Sequence, residues 1–272
     1  MNGKEIRLKR LFKRSDRLLV VPLDHGVSMG PVEGLKEIGD TIRKVAQGGA
    51  DAVVVHKGLA RHAAPFAEVC ELIVHLSAST ELAPDPNRKE LVATPEFAAR
   101  LGASAVSTHV NLASREEAAM LKDLGRAAEA CALLGLPLLA MMYVRDGRKE
   151  SEYDPKKLAH AARVAEELGA DVVKVNYTGS VDSFAEVVSG VTIPVVIAGG
   201  PKAKSAAGIL RTVRDAVLAG AKGVALGRNI FQHKDPEAMT RAVRRALDGP
   251  LGDDEIDALV AKELEGEARE RD

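Results

Sequence analysis

One lysine interrupts the valine-rich run Asp171-Val-Val-Lys-Val-Asn-Tyr-Thr-Gly179. Flanked by Val172, Val173 and Val175, Lys174 belongs to a strand whose neighbours favour burial. A charged ammonium is costly to bury unless it is paired or neutralised, and burial lowers a lysine's pKa. A lysine neutralised in this way is a nucleophile that can form a Schiff base with a carbonyl. Lysine-dependent aldol chemistry would then require proton-transfer groups and, for a phosphorylated substrate, an anion site. The plain alternative is a lysine that charges an exposed sheet edge with its head in solvent. A closed sheet has no edge and favours the chemical reading.

Candidates for the remaining parts lie elsewhere in the chain. Asp24-His25-Gly26 supplies a carboxylate that can move protons during carbinolamine formation and dehydration, although Asp-His-Gly is also good turn chemistry. Tyr143 carries a phenol able to donate a proton to an oxygen on the reacting carbons, or it is an ordinary rim aromatic. Gly199-Gly200-Pro-Lys202 and Gly227-Arg228-Asn229 are glycine turns that could expose backbone N–H groups to phosphate, with Arg228 as a bidentate clamp. Alone, such turns need mean no more than tight corners. His25, His56, His75 and His109 raise a rival, a metal centre stabilising an enediolate, but no close-spaced histidine pair is present and Lys174 would be left without a role.

The elements that must position these residues follow from a recurring phrase: a helix end, Gly-Ala, then a β-branched run. It occurs at Gly49, Gly102, Gly169 and Gly220. Glycine accepts the left-handed conformation that ends a helix, and the apolar run suits a buried parallel strand. With Leu18–Leu23, Leu72–Leu76, Pro137–Met142 and Pro194–Ala198, the count reaches eight short apolar strands. Thr94-Pro95, Asp154-Pro155 and Asp235-Pro236 predict helix starts, and Ser114 with Glu117 predicts a capping box. Eight alternating units predict an α/β fold, a single-domain (β/α)8 TIM barrel, with the chemistry at the strands' C-terminal ends. The barrel is expected over about residues 17–248 of a domain spanning 1–272, followed by a charged tail, 249–272, read as a solvated or frayed helix. A doubly wound open sheet is the alternative, but the first turn lacks a dinucleotide fingerprint.

Composition removes several classes of function. The 272 residues are 46% hydrophobic, enough for a substantial core. Thirty-eight basic against 39 acidic residues give a net charge of −1, so there is no electrostatic case for nucleic acid or an anionic membrane surface. No apolar run approaches the ~18–20 residues of a membrane span. Basic residues open the chain with no apolar core behind them, unlike a secretory signal, so a cytoplasmic location is expected. Cys70 and Cys131 match no metal or redox spacing and are expected in the core.

Six segments together resemble a known family. They are Val21–Ser28, Gly49–Gly58, Ala140–Tyr143, Val173–Gly179, Ala198–Lys202 and Gly227–Gln232. They resemble the archaeal-type class I aldolases of the DeoC/FbaB group, nearest the branch of the 2-amino-3,7-dideoxy-D-threo-hept-6-ulosonate synthases and their actinomycete cousins. The resemblance spans Leu11 to about Arg245. It implies a Schiff-base lysine at Lys174, a proton acceptor at Asp24 and a proton donor at Tyr143. It also implies substrate contacts at His25, Gly26, Val27, Ser28, Val144, Arg145, Gly199, Gly200, Gly227 and Arg228, with no metal and no cofactor. The implied substrates are a ketose phosphate (dihydroxyacetone phosphate or a 6-deoxy-5-ketofructose phosphate) and L-aspartate 4-semialdehyde, joined into a seven-carbon amino keto acid. A ring-shaped homo-oligomer is also implied. Val144 departs from the proline usual in the archaeal synthases, and Asp146–Glu152 is more polar than in the sugar-phosphate aldolases. Fructose-1,6-bisphosphate aldolase is the alternative within the same chemistry, and a non-catalytic phospholigand-binding barrel is one from another class.

Overall fold

Helix ends become strand starts at the recurring Gly-Ala phrase: Gly49 (φ +98°) and Gly169 (φ +93°) hold the left-handed conformation a side chain would resist. The computed structural model describes residues 3–200, 203, 205–249 and 251–265. In chain order the first elements are α1 (Gly3–Leu11), β1 (Leu18–Pro22), α2 (His25–Met29), α3 (Ile38–Gln47), β2 (Ala52–His56) and β3 (Glu71–His75). A short antiparallel pair, β4 (Ser77–Ala78) and β5 (Glu90–Leu91), precedes α4 (Pro95–Arg100), β6 (Ala105–Leu112) and α5 (Glu117–Leu134). There follow β7 (Leu138–Val144), α6 (Pro155–Glu167), β8 (Val172–Asn176), α7 (Val181–Ser189), β9 (Val195–Ala198), α8 (Ala206–Leu218) and β10 (Gly223–Ala225). The last elements are α9 (Arg228–Phe231), α10 (Pro236–Asp248) and α11 (Asp253–Val260).

Strands β1–β3 and β6–β10 close into one parallel barrel, in the order β1-β10-β9-β8-β7-β6-β3-β2. The barrel reading holds and the open sheet is excluded. Two cores result from strand alternation. Val20, Val54, Ile73, Met141, Val172 and Val196 fill the interior, while Val21, Val53, Val74, Met142, Val173 and Ile197 pack outward against the helices. Helix α1 and the residue after it close the N-terminal end of the barrel, setting Leu8, Leu11 and Phe12 against the interior core.

Thr94, Asp154 and Asp235 each accept a hydrogen bond from the backbone N–H three residues on, as the sequence predicts. The predicted capping box does not form: the Ser114 hydroxyl turns back to the Asn111 carbonyl, and the Glu117 carboxylate takes the N–H of Ala113. The acidic tail is corrected too. Through residue 265 it is packed: Ile256, Leu259 and Leu264 are buried, and Asp253 ion-pairs with Arg211 and Arg214. Its remaining residues lie outside those described. Both cysteines are free and buried. Among the described residues no helix is long and apolar enough to cross a membrane.

Candidate active site

Alternation along β8 decides where its lysine goes. Val173 and Val175 pack outward, so Lys174 and Asn176 point into the barrel with Val172 below them. Lys174 is paired in register with Met141 on β7 and Val196 on β9, and only 7% of it is exposed. Its setting is thus a barrel interior, not a sheet edge.

Two proton-transfer candidates, Tyr143 and Asp24, line a cavity with it. Tyr143 points inward from the end of β7, its ring 4.8 Å from that of His109 and 5.2 Å from the Arg145 guanidinium carbon. Asp24 follows β1 and makes no capping hydrogen bond to α2, so its carboxylate is not spent on the turn. Instead it faces His25 Nδ1 at 3.6 Å and His75 Nε2 at 3.7 Å. Burial pushes the Asp24 carboxyl up, but His75, His25, Lys174 and His56 together outweigh it and hold it down at about 2. At neutral pH Asp24 is a carboxylate.

Burial dominates the imidazoles and lowers all four: His75 to about 4, His25 and His56 below the ordinary value, and His109 well below it. All four are uncharged rings at neutral pH, and two of them, His75 and His109, have side-chain hydrogen-bond partners. His75 Nδ1 meets Ser107 Oγ at 2.8 Å. His109 Nε2 meets Asn111 Oδ1 at 2.9 Å, and the Asn111 amide nitrogen donates to the Asn87 carbonyl. That second bond turns the Asn111 oxygen towards His109, which therefore donates from Nε2. Among the described residues no three His, Cys, Asp or Glu side chains converge as a metal ligand set.

The two glycine turns stand beside Lys174 on the barrel rim, after β9 and β10. Arg228 donates to the Gly200 carbonyl (3.1 Å) and Asn229 to the Gly199 carbonyl (2.9 Å), tying the turns together. Among the described residues Arg228 Nε is buried without a hydrogen-bond partner, a donor available to an anion. Lys202 lies outside the described residues. A cavity of about 630 Å³ runs along the rim from Gly199, Gly200, Gly227 and Arg228, past Lys174, Asn176 and Tyr143, to Arg145 and Glu152. A smaller one, about 150 Å³, continues from Lys174 to Asp24, Ser28, His75 and Lys89.

Not every expected contact is brought to this place. His25 lines both cavities and Ser28 the smaller, where its hydroxyl donates to the Ser79 carbonyl. Gly26 and Val27 line a separate hollow with Leu35 and Ile38. The Val144 side chain is buried in the outer core, so only its main chain is near the rim. Sequence reasoning passed over Asn176, Lys89, Asn87 and Glu152. Asn176 was findable, since it lies two residues beyond Lys174 and alternation puts both on one face.

This geometry has known counterparts. The profile of the DeoC/LacD family aldolases matches residues 18–233. The chain is 46% identical over 239 residues to the 2-amino-4,5-dihydroxy-6-oxo-7-(phosphonooxy)heptanoate synthase of Streptomyces griseus, covering 87% of each chain. It is likewise 46% identical over 241 residues to the 2-amino-3,7-dideoxy-D-threo-hept-6-ulosonate synthase of Halobacterium salinarum, covering 89% of this chain and 90% of that one. An archaeal fructose-1,6-bisphosphate aldolase, solved with its catalytic lysine bound to the carbinolamine intermediate, superposes with a TM-score of 0.83 at 31% identity, covering 91% of this chain and 100% of that one. An inward lysine in a closed barrel, beside two glycine turns, thus coincides with sequence identity across nearly the whole chain, and the protein belongs to the DeoC/LacD family of aldolases.

Proposed function

We propose that this chain is a Schiff-base synthase that joins a ketose phosphate to L-aspartate 4-semialdehyde, giving a seven-carbon amino keto acid. The carrying observation is the inward Lys174, set on the rim between the glycine turns and Tyr143. The Gly199, Gly200, Gly227 and Arg228 end holds the donor phosphate. Lys174 Nζ attacks the donor ketone, and the carbinolamine loses water to give an iminium. Proton removal at the adjacent carbon gives an enamine, with Asp24 and Tyr143 exchanging the protons. The enamine carbon attacks the aldehyde, its oxygen takes a proton from Tyr143, and water releases the product from Lys174.

Identity supports this reading over fructose-bisphosphate cleavage: 46% to the synthases against 31% to the bisphosphate aldolase. The donor is dihydroxyacetone phosphate, whose three carbons add by the steps above, or a 6-deoxy-5-ketofructose phosphate, whose Schiff base at C5 first breaks its C3–C4 bond, releasing a three-carbon phosphorylated aldehyde and leaving on Lys174 the three-carbon enamine that attacks. The two differ in an observable way, because direct addition of dihydroxyacetone phosphate leaves phosphate on the product. A cytoplasmic homo-oligomer fits the free cysteines and the exposed apolar Leu133 and Phe97.

Borohydride added with donor should attach a covalent mass to the peptide carrying Lys174, and chelator should leave turnover unchanged. Absence of the adduct, with activity lost in chelator, would overturn the Schiff-base reading. Product mass from aspartate semialdehyde with each donor in turn identifies the donor.

A further inference from the structure

Beyond Tyr143 the cavity ends in one ion pair, Arg145 with Glu152, on the loop joining β7 to α6. Their side chains are 29% and 28% exposed. Arg145 lies over the Tyr143 ring, and Asn176, on the same strand as Lys174, donates through Nδ2 to the Glu152 carbonyl at 3.0 Å. Both charges are therefore placed against residues that flank the reacting carbons.

The loop does not depend on this pair for its shape. Lys157 Nζ ties it at Asp146 (2.7 Å) and Ser151 (2.6 Å), Asp146 caps the Arg148 N–H, and the Asn176 bond pins its far end. Partly exposed ion pairs contribute little to stability. What the pair offers is one cation and one anion, side by side, facing a substrate cavity.

We propose that Arg145 and Glu152 form the recognition site for the α-amino-acid end of the acceptor aldehyde, Arg145 taking the carboxylate and Glu152 the ammonium. This rests on the synthase reading above. The acceptor is a zwitterion with its charged carbon two bonds from the aldehyde. The rim order of the strands puts the donor phosphate at β9 and β10, the Schiff base at β8 and the charge pair past β7, so donor and acceptor lie on opposite sides of Lys174. In the free protein the two side chains neutralise each other. The arriving zwitterion replaces that one contact with two, each a charge-assisted hydrogen bond. Glu152 also selects against a second phosphate at this end by like-charge repulsion.

The test compares aspartate semialdehyde with succinic semialdehyde, which keeps the aldehyde and carboxylate but lacks the amino group, at saturating donor. For Glu152→Gln, kcat/KM with aspartate semialdehyde should fall on the order of 10–100-fold, the value of one charge-assisted hydrogen bond. With succinic semialdehyde it should hold or rise, since Arg145 is released from its partner. Glu152→Asp should recover part of the loss, and Arg145→Lys should weaken both acceptors. The borohydride adduct with donor reports that each variant is folded. Equal losses on both acceptors, or no loss on either, would overturn the assignment. A wild-type protein that traps donor yet makes no product from aspartate semialdehyde would instead overturn the synthase reading, and this proposal with it.

Discussion

Gly227 lies against His25. A Cβ built on Gly227 would come within 2.6 Å of His25 Cε1 and 2.9 Å of the Pro22 carbonyl oxygen. The turn after β10 is thereby seated on the loop after β1, where the barrel closes, and His25 is backed in turn by Phe231, ring to ring at 5.1 Å. The turn after β10, Asp24 and Lys174 share one mouth, and these two residues meet at its seam.

Gly227→Ala should disturb that seat. The methyl must displace main chain at Pro22 as well as the imidazole, an overpacking cost of about 1–3 kcal/mol. Urea denaturation should show the loss of stability, and KM for the donor should rise more than KM for the acceptor. Equal effects on the two substrates would separate the turn from the phosphate.

Lys174→Met should abolish both turnover and the borohydride adduct while leaving stability unchanged or improved, because a buried lysine is exchanged for an apolar chain of similar length beside Met141 and Val196. Tyr143→Phe keeps the ring against His109, so its loss should be in kcat, about 10²–10⁴-fold for a missing acid–base group. Mass spectrometry of the trapped peptide distinguishes the two variants, since Tyr143→Phe retains the nucleophile. An adduct that survives Lys174→Met would place the Schiff base elsewhere.

Stability should fall as pH drops from 6.5 towards 4. Below 6.5 the unfolded chain protonates its histidines, whereas folded His75 resists until about 4, so the unfolded state binds more protons throughout that window. The contribution of His75 amounts to about 2 kcal/mol lost by pH 5. Asp24 acts in the next window down: its folded value of about 2 lies below its ordinary 3.8, so its stabilisation is complete above 3.8 and disappears as pH falls through 2. Urea midpoints at pH 7 and pH 5 should differ less in His75→Asn than in the wild type. An unchanged difference would contradict the neutral, buried imidazole.

Ile256→Ala should cost about 2–5 kcal/mol, as expected for truncating a fully buried side chain, without changing kcat of the folded protein. A change below about 0.5 kcal/mol, typical of surface sites, would restore the view of the tail as a solvated helix.

What the sequence disclosed, and what it hid, follows from periodicity. The Gly-Ala phrases disclosed the barrel because each joins a helix stop to an apolar strand, and the alternation around Lys174 made it inward as soon as the sheet was closed. Carried two residues further, the same alternation reaches Asn176, and one residue past Tyr143 it sends Val144 outward. The β4–β5 pair that carries Lys89 and Asn87 towards the mouth has two-residue strands, too short for any period to show. In the tail, Ile256 and Leu259 stand three apart as on a helix face, but Leu264 follows five residues on, in a π-helical turn, so no single period reveals the buried stripe. Glu152 follows no pattern at all. It enters the site because α6 begins at Asp154-Pro155 and fixes where the preceding loop must end.

Helix α1 and the residue that follows it seal the barrel at one end with Leu8, Leu11 and Phe12. The consequence is one of traffic. Among the described residues both cavities beside Lys174 lie at the other end, along the rim, so under the proposed function donor, acceptor, water and product all pass that rim, and a product that keeps its phosphate would have to vacate the glycine turns before the next donor docks. On that reading the protein is kinetically a cul-de-sac, in which clearing the rim is a step as necessary to each turnover as making the bond.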